Sequence, residues 1–271
     1  MITIYPKRPF KALIEAKCIT PDAFVKKSVG EIVELPVWEG NSERTLGNLF
    51  KIVQEPETSE EATIRISGDA GKVRGIGAGM SMGKIIVDGD VGMHLGGEMG
   101  GGTITIIGNA GSWAGSMMKN GTIEVMGDAG DYAGAAYRGS TQGMRGGTII
   151  IHGNAGNEVG CFMRKGLIKI YGNAGQFVGI HMRNGTIFVK GNSEGRAGAQ
   201  ILGGKIVICG YIPSILPTFT VDSVRSKVKI NGEEVTGPFY MFAGDLAEGG
   251  DGKLYVSKAQ NPHLNLYEKY L

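Results

Sequence analysis

Short alternating apolar runs recur through the middle of the chain: Ile64 and Ile66, Ile85 and Val87, Ile104 and Ile106, Ile123 and Val125, Ile149 and Ile151, Ile168 and Ile170, Ile187 and Val189, Ile206 and Ile208. Two β-branched residues on either side of one intervening position give period two, the mark of a strand with one buried face. Between these runs there is no stretch of the roughly 10 to 12 helical residues that a leucine-rich or ankyrin-type unit requires, so the repeat is all β.

Glycine sets the period. Gly68-Asp69, Gly89-Asp90, Gly108-Asn109, Gly127-Asp128, Gly153-Asn154, Gly172-Asn173 and Gly191-Asn192 open successive units, and the next opens at Gly210; the offsets are 21, 19, 19, 26, 19, 19 and 19. The unit reads G-[DN]-x-G-x-x-x-G-x-x-M-x-x-G-x-[IL]-x-[IV]-x, with two extra residues in the first copy and seven in the fourth. A coil of this length holds three short extended sides, and coils stacked about 4.8 Å apart build a column roughly 34 Å long. Met80, Met99, Met118, Met144, Met163 and Met182, with Ile201 in the last unit, are expected to form an interior row of thioethers. The Gly-Asx pairs are expected to supply positive-φ corners, with the Asx side chains bonding local backbone. A calcium-binding β-roll is set aside because four of the seven Asx positions are Asn and the acidic ladder it needs is missing.

The flanks have a different texture. Residues 1–62 mix a strand at 2–5 with short helices around 21–27 and 45–52, which predicts a small α/β N-terminal cap. Residues 211–271 hold strand-like stretches at 227–230 and 239–242 around the turn pair Asn231-Gly232, which predicts a hairpin followed by an extended tail. The expected organisation is therefore a cap over 1–62, Gly-rich coils over 63–210 and a C-terminal capping or docking segment over 211–271.

Composition narrows the function. Of 271 residues 47 are Gly, 38 of them between Gly68 and Gly210, yet 9 Pro and the irregular glycine spacing exclude collagen. A net charge of +2 without a run of like charges speaks against a nucleic-acid partner, and no apolar segment is long enough for membrane insertion. Lys7, Arg8 and Lys11 interrupt any signal-peptide core, so a cytoplasmic location is expected. Cys18, Cys161 and Cys209 lack metal-ligand or disulfide spacing, and His94, His152, His181 and His263 are dispersed. The Gly75-Ile76-Gly77-Ala78-Gly79 string does not sit in a strand–turn–helix unit, Cys161 has no neighbouring base in sequence, and Asp131 and Glu158 read as solvated turn acids. No catalytic, cofactor-binding or metal-binding residue is expected on this chain.

The informative positions lie outside. The residue between each inward pair faces outward, and Ile86, Ile150, Phe188 and Val207 are out of place on a free surface; another subunit or the terminal segments are expected to cover them. A second row, His94, Trp113, Tyr132, Glu158, Phe177 and Arg196, puts one residue per coil at one place, with Trp113 and Tyr132 as candidate anchors unless they turn inward or pack under a terminal arm. The fourth-unit expansion, carrying Tyr137, Arg138, Ser140, Thr141 and Gln142, is expected to protrude and contact a neighbouring subunit.

These residues resemble a known group. The repeat is similar to the domain shared by the C-terminal end of the glutamate synthase large subunit and by the C subunit of formylmethanofuran dehydrogenase. The second resemblance is carried by Gly111-Ser112-Trp113-Ala114-Gly115, Asp131-Tyr132-Ala133-Gly134, Tyr137-Arg138-Gly139, Gly143-Met144-Arg145-Gly146-Gly147, Gly179-Ile180-His181-Met182 and Gly237-Pro238-Phe239-Tyr240. It implies a right-handed parallel β-helix (solenoid) of about seven coils, serving as a non-catalytic subunit of a complex that reduces CO2 to formate with low-potential electrons and condenses it with methanofuran. The implied partners are a metallopterin subunit with tungsten or molybdenum, an amidohydrolase-like subunit with a binuclear metal site, and ferredoxin-like subunits with iron-sulfur clusters. The C subunit holds none of these cofactors in the family. The equivalent scaffold of a formyltransferase/hydrolase complex and a glutamate-synthase-like domain stand as alternatives. Glu194 departs from the pattern where a glycine is expected.

Overall fold

The computed structural model describes residues 1–55 and 61–271; the stretch 56–60 of the expected cap lies outside the described residues. The chain is mostly β. The alternating runs become strands Thr63–Ile66, Lys84–Val87, Thr103–Ile106, Thr122–Val125, Arg145–Ile151, Lys165–Ile170, Thr186–Val189 and Lys205–Ile208, laid side by side in parallel within a 13-stranded mixed sheet. Register is kept at the inward pairs, so Ile104 pairs with Ile123, Ile123 with Ile149 and Ile168 with Ile187, and the shift between Arg145 and Thr148 is confined to the start of that strand. The seven-residue expansion therefore causes no slip. Both members of every inward pair are buried.

Two further lines of contact run along the same direction. Parallel bridges link Ala70 to Val91, Ala110, Ala129, Ala155 and Ala174 in turn. At the glycines preceding the methionines, Gly96, Gly115, Gly134, Gly160, Gly179 and Gly198 each donate to a carbonyl one unit back at 2.8 Å. The predicted methionine row is fully buried from Met80 to Met182, and Ile201 continues it. Each methyl reaches the next unit: a Cβ at Gly121, whose φ is +93°, would lie 2.7 Å from Met99 Cε. Glycine there meets both a left-handed backbone and a filled core.

The Asx residues do something other than expected. Only Asp69 bonds locally, to the Gly71 N–H at 2.8 Å. Asp90 Oδ1 accepts from Asn109 N–H at 2.7 Å, Asn109 from Asp128 at 2.8 Å, Asp128 from Asn154 at 2.6 Å, Asn154 from Asn173 at 2.9 Å, Asn173 from Asn192 and Asn192 from Tyr211, both at 2.8 Å. Stacking brings the next unit's N–H closer than the local backbone's, and an acceptor oxygen, which Asp and Asn share, is all the position requires. Nor do these residues supply the left-handed corners, which fall instead on glycines and on bulky residues described below.

The flanks add strands to the same sheet. Ile2–Pro6 runs parallel to Thr63–Ile66 and pairs antiparallel with Phe50–Gln54 at the edge. The expected helix around 21–27 is Pro21–Phe24, with the Thr20 hydroxyl accepting from Ala23 N–H at 3.1 Å; the helix around 45–52 is only Leu46–Leu49 before the chain turns extended. A helix that the sequence pattern did not predict, Val29–Val33, is marked by a Ser28/Glu31 capping box. At the other end Gly252–Ser257 adds a parallel strand beside Lys205–Ile208. The predicted hairpin, Thr220–Ile230 and Glu233–Gly244, turns at Asn231 and Gly232, whose φ values of 48° and 91° suit a two-residue loop. The extended tail is corrected: Pro262–Tyr270 is 3-10 helical, started by Pro262 and pinned where the Tyr240 hydroxyl donates to Glu268 Oε1 at 2.6 Å, with Asn265 Oδ1 2.7 Å from the same hydroxyl.

Candidate interaction surface

The row predicted from sequence forms a side-chain ladder on left-handed backbone. His94, Trp113, Tyr132, Glu158, Phe177 and Arg196 all have φ between 55° and 66°, and Gly75 takes the same place in the first unit with φ of 79°. Four residues further on lies a second such row that the sequence pattern did not predict: Glu98, Met117, Phe162, His181 and Gln200, with Gly79 in the first unit. A left-handed L-residue costs about 1–2 kcal/mol, and stacking offsets part of it at roughly 0.5–1.5 kcal/mol per pair. The rings are placed accordingly. His94 stacks on Trp113 at 5.3 Å, Trp113 on Tyr132 at 4.6 Å with 12° between planes, and Phe162 on His181 at 4.4 Å. Arg196 lies over the Phe177 ring at 5.1 Å. Trp113, Tyr132 and Phe177 are half-buried rather than enclosed in the core.

The expansion does not simply protrude. Its backbone is tied to the next unit through Ala136 N–H to Cys161 O and Gly143 N–H to Phe162 O, both at 3.0 Å. Tyr137 folds back until its ring lies 5.4 Å edge-on to His94 and its hydroxyl rests on Gly97, where a Cβ would meet it at 2.5 Å. Arg138 at the tip is exposed. Tyr137 thus separates a small hollow of about 270 Å³ over Trp113 and Tyr132 from a cleft of about 700 Å³ lined by Glu15, Lys17, Arg74, His94, Glu98 and Lys119.

Charges in the cleft are arranged in pairs. Glu15 meets Lys17 at 2.9 Å and Arg74 at 2.7 Å, and the Lys17 contact, with Arg74, holds its carboxyl below the ordinary value. Lys119 stands 3.9 Å from Glu98. Burial, then the charges of Arg74 and Lys17, push the His94 imidazole down, so its neutral form is favoured; its Nδ1 is buried without a hydrogen-bond partner. Burial and the Glu98 charge push the Tyr137 phenol up. Such a site can seat a polar group by hydrogen bonding. No periodic signal could have revealed Glu15 and Lys17, which precede the repeat, whereas the second row was discoverable by counting four residues on from the first.

The outer sheet face splits in two. Phe188 and Val207, expected as interface candidates, are buried by the chain's own hairpin: Val228, Ile230 and Phe239 pack on them and on Leu167. They are withdrawn from any intermolecular surface because the hairpin lies across this end of the face. Ile86 and Ile150, nearer the N-terminal end, remain half-buried, with Ile107 and Met126 exposed beside them.

Among the described residues no three His, Cys, Asp or Glu side chains converge as a metal site, and no helix is long and apolar enough to cross a membrane. Burial raises all three thiols, Cys161 to about 12 and Cys18 and Cys209 to about 11.

Stacked Gly-rich units, side-chain ladders on their corners and a hairpin folded over one face define a repetitive β protein built from surfaces. Compared with known proteins, the chain is 46% identical over 258 residues to the C subunit of the tungsten-containing formylmethanofuran dehydrogenase 2 of Methanococcus maripaludis, covering 93% of this chain and 94% of that one. The chain belongs to the family of formylmethanofuran dehydrogenase C subunits. Shorter matches reach the C subunit of the molybdenum-containing formylmethanofuran dehydrogenase 1 of Methanothermobacter thermautotrophicus (45% over 93 residues) and of Methanothermobacter marburgensis (48% over 94 residues), each spanning 34% of this chain and 23% of the relative. The chain matches about a quarter of the length of those curated relatives. Among solved structures, a chain of the formyltransferase/hydrolase complex from Methylorubrum extorquens, determined with methylofuran, superposes with a TM-score of 0.81 at 31% identity, over 94% of this chain and 99% of that one. No family model matches the sequence.

Proposed function

We propose that this chain is the structural subunit of a formylmethanofuran dehydrogenase, holding the CO2-reducing and formyl-transferring subunits in fixed relation without contributing catalytic residues. The full-length similarity to the Methanococcus maripaludis protein carries the reading. We take the in-register parallel units as a right-handed β-helix of about seven coils spanning 63–210, capped by 1–62 and 211–271. The metallopterin with molybdenum or tungsten, the iron-sulfur clusters and the binuclear metal site belong on this reading to metallopterin, amidohydrolase-like and ferredoxin-like partners in the cytoplasm. A rigid column would serve the reaction through proximity, keeping a path between two active sites aligned.

The Methylorubrum likeness favours a second reading, the equivalent subunit of a formyltransferase/hydrolase complex. Affinity purification of the native protein, with mass spectrometry of the co-eluting chains and elemental analysis, separates the two. Tungsten or molybdenum with abundant iron, beside metallopterin and amidohydrolase-like chains, supports the dehydrogenase. An amidohydrolase-like partner with little redox metal supports the second reading, and recovery of the chain alone overturns both.

A further inference from the structure

One residue after each buried methionine stands at the same place on every unit, with its N–H bonded to the carbonyl of the methionine one unit back: Lys119 to Met99, Arg145 to Met118, Arg164 to Met144 and Arg183 to Met163, at 2.7–2.8 Å. Four cations thus occupy four consecutive rungs, about 4.8 Å apart. Lys165 widens the row, paired directly across the ladder with Arg145. Beyond Arg183 a groove of about 440 Å³ brings in Lys205 and Lys253, themselves cross-strand partners, against the single acid Asp251. At its other end the stripe enters the cleft that Lys119 lines.

These charges are barely compensated. Among the described residues only Lys119 of these has an acid within 4 Å, Glu98 at 3.9 Å. Arg145 makes a 3.4 Å hydrogen bond to Gln142 Oε1, and Arg164 donates from Nη2 to Thr141 O at 3.3 Å while its buried Nε has no partner. Arg183 and Lys165 form no ion pair among the described residues. Like charges directly opposite each other destabilise a sheet, yet a chain with net charge +2 concentrates them here. Their spacing is shorter than the screening length of about 8 Å at physiological salt, so their fields merge into one band. From Lys119 to Lys253 the band runs about 24 Å, the length of an extended segment of about seven residues.

We infer that this stripe is a docking track for an extended acidic segment, rich in Asp and Glu, of a partner subunit. Alternate side chains of such a segment would face the column about every 6.6 Å, within reach of successive Arg and Lys heads. Nucleic acid fits less well: the rings beside the stripe, Phe162 and His181, are stacked on each other rather than open to bases. The inference rests on the reading of the chain as an assembly subunit.

The test uses the full-length chain and a fluorescein-labelled heptaglutamate peptide, followed by anisotropy at 50 and 200 mM NaCl. Saturable binding that weakens steeply with salt, is absent for heptaglutamine, and falls at least tenfold in the Arg145→Gln/Arg164→Gln/Arg183→Gln variant is expected. An Arg225→Gln/Lys227→Gln/Lys229→Gln variant on the hairpin removes the same net charge and is expected to bind within twofold of the parent. Equal binding by both triple variants, or a heptauridylate probe binding as tightly as the peptide, overturns the track. Thermal melts guard against misfolding; should the stripe variant fail to fold, Arg145→Gln and Arg183→Gln singly are each expected to weaken binding about threefold, and no loss in either overturns the inference. A folded stripe variant that recovers the parent's partners in undiminished amounts also overturns it and leaves the assembly reading standing, whereas a parent chain recovered alone defeats that reading instead.

Discussion

Replacing Gly97 with Ala tests whether Tyr137 is seated as described. Gly97 is buried beneath the Tyr137 ring, and its backbone lies outside the left-handed region, so an alanine adds a methyl without straining φ. That methyl would meet the Tyr137 hydroxyl at 2.5 Å, while the next atoms, His94 O and Tyr137 Cζ, stand at 3.6 and 3.7 Å, ordinary contact distances. The clash therefore resides in one oxygen. Overpacking of this kind costs about 1–3 kcal/mol, and because the ring belongs to a surface excursion, the cost is expected as local opening. Every 1.4 kcal/mol is about tenfold in the open population, so tryptic cleavage after exposed Arg138, followed by mass spectrometry, should accelerate about tenfold. Tyr137→Phe removes the offending atom; alone it is expected to change the opening by about 0.5 kcal/mol or less, and combined with Gly97→Ala it should restore the parent rate. Effects of the two substitutions that add within about 0.5 kcal/mol refute the seating of the ring on Gly97.

Four other outcomes follow from the same geometry. Trp113→Ala keeps the left-handed strain and loses the stack, whereas Trp113→Gly loses the stack but relieves the strain, so the glycine variant should be the more stable by about 1 kcal/mol in denaturant titration; the reverse order refutes the strain argument. With Cys161 raised to about 12 and Cys18 and Cys209 to about 11, iodoacetamide at about pH 8 should label the native chain far more slowly than the unfolded one, and equally rapid labelling would contradict their burial. Lys258 and the Tyr240 hydroxyl hold the Glu268 carboxyl below its ordinary value, so their support of the 3-10 tail is present above the ordinary carboxylate range and lost as pH falls through the lowered value; the protection of amides 262–270 against hydrogen exchange, relative to the unfolded chain at the same pH, should fall as the carboxyl is protonated, and an unchanged protection counts against the contact. Deleting 136–142 leaves Gly143 at the left-handed place held elsewhere by Met117 and Phe162, so the circular-dichroism spectrum should be kept while recovery of partner chains falls; a folded deletion that assembles fully shows that the excursion contacts no neighbour.

What the sequence disclosed is what every unit must repeat. The inward pairs and the methionine row were legible because each unit buries the same positions, so periodicity and burial coincide from Ile64 to Ile208 and from Met80 to Met182. The Asx bonds were misread for a related reason: a 19-residue spacing says that Asn154 and Asn173 occupy equivalent places but not that one side chain reaches the other's backbone. Rules for left-handed backbone point to glycine, and they failed at Trp113 and Tyr132, where stacking between rungs supports a conformation that local propensity opposes. Phe188 and Val207 were rightly seen to need a cover, but nothing in their surroundings along the chain indicates Phe239 or Val228. Glu15 and Lys17 were out of reach because the segment before Thr63 shares no period with the Gly-rich units.

The expansion in the fourth unit ties these levels together. Gly134 donates to Ala114 O ahead of it, and Arg145 donates to Met118 O after it, so both ends are fixed to the preceding rung at 2.7–2.8 Å. Extra residues cannot be spread along the unit without shifting Met144 out of the methionine row or Ile149 off Ile123. A one-place shift would turn an inward pair outward, which the buried core penalises at every rung. The excess must therefore leave at one corner, and that corner lies beside the stack of His94, Trp113 and Tyr132. There the extruded segment finds flat half-buried rings to cover and a glycine to rest its phenol on, so the same strictness of register that keeps the units aligned also closes one wall of the cleft lined by Glu15 and Lys119.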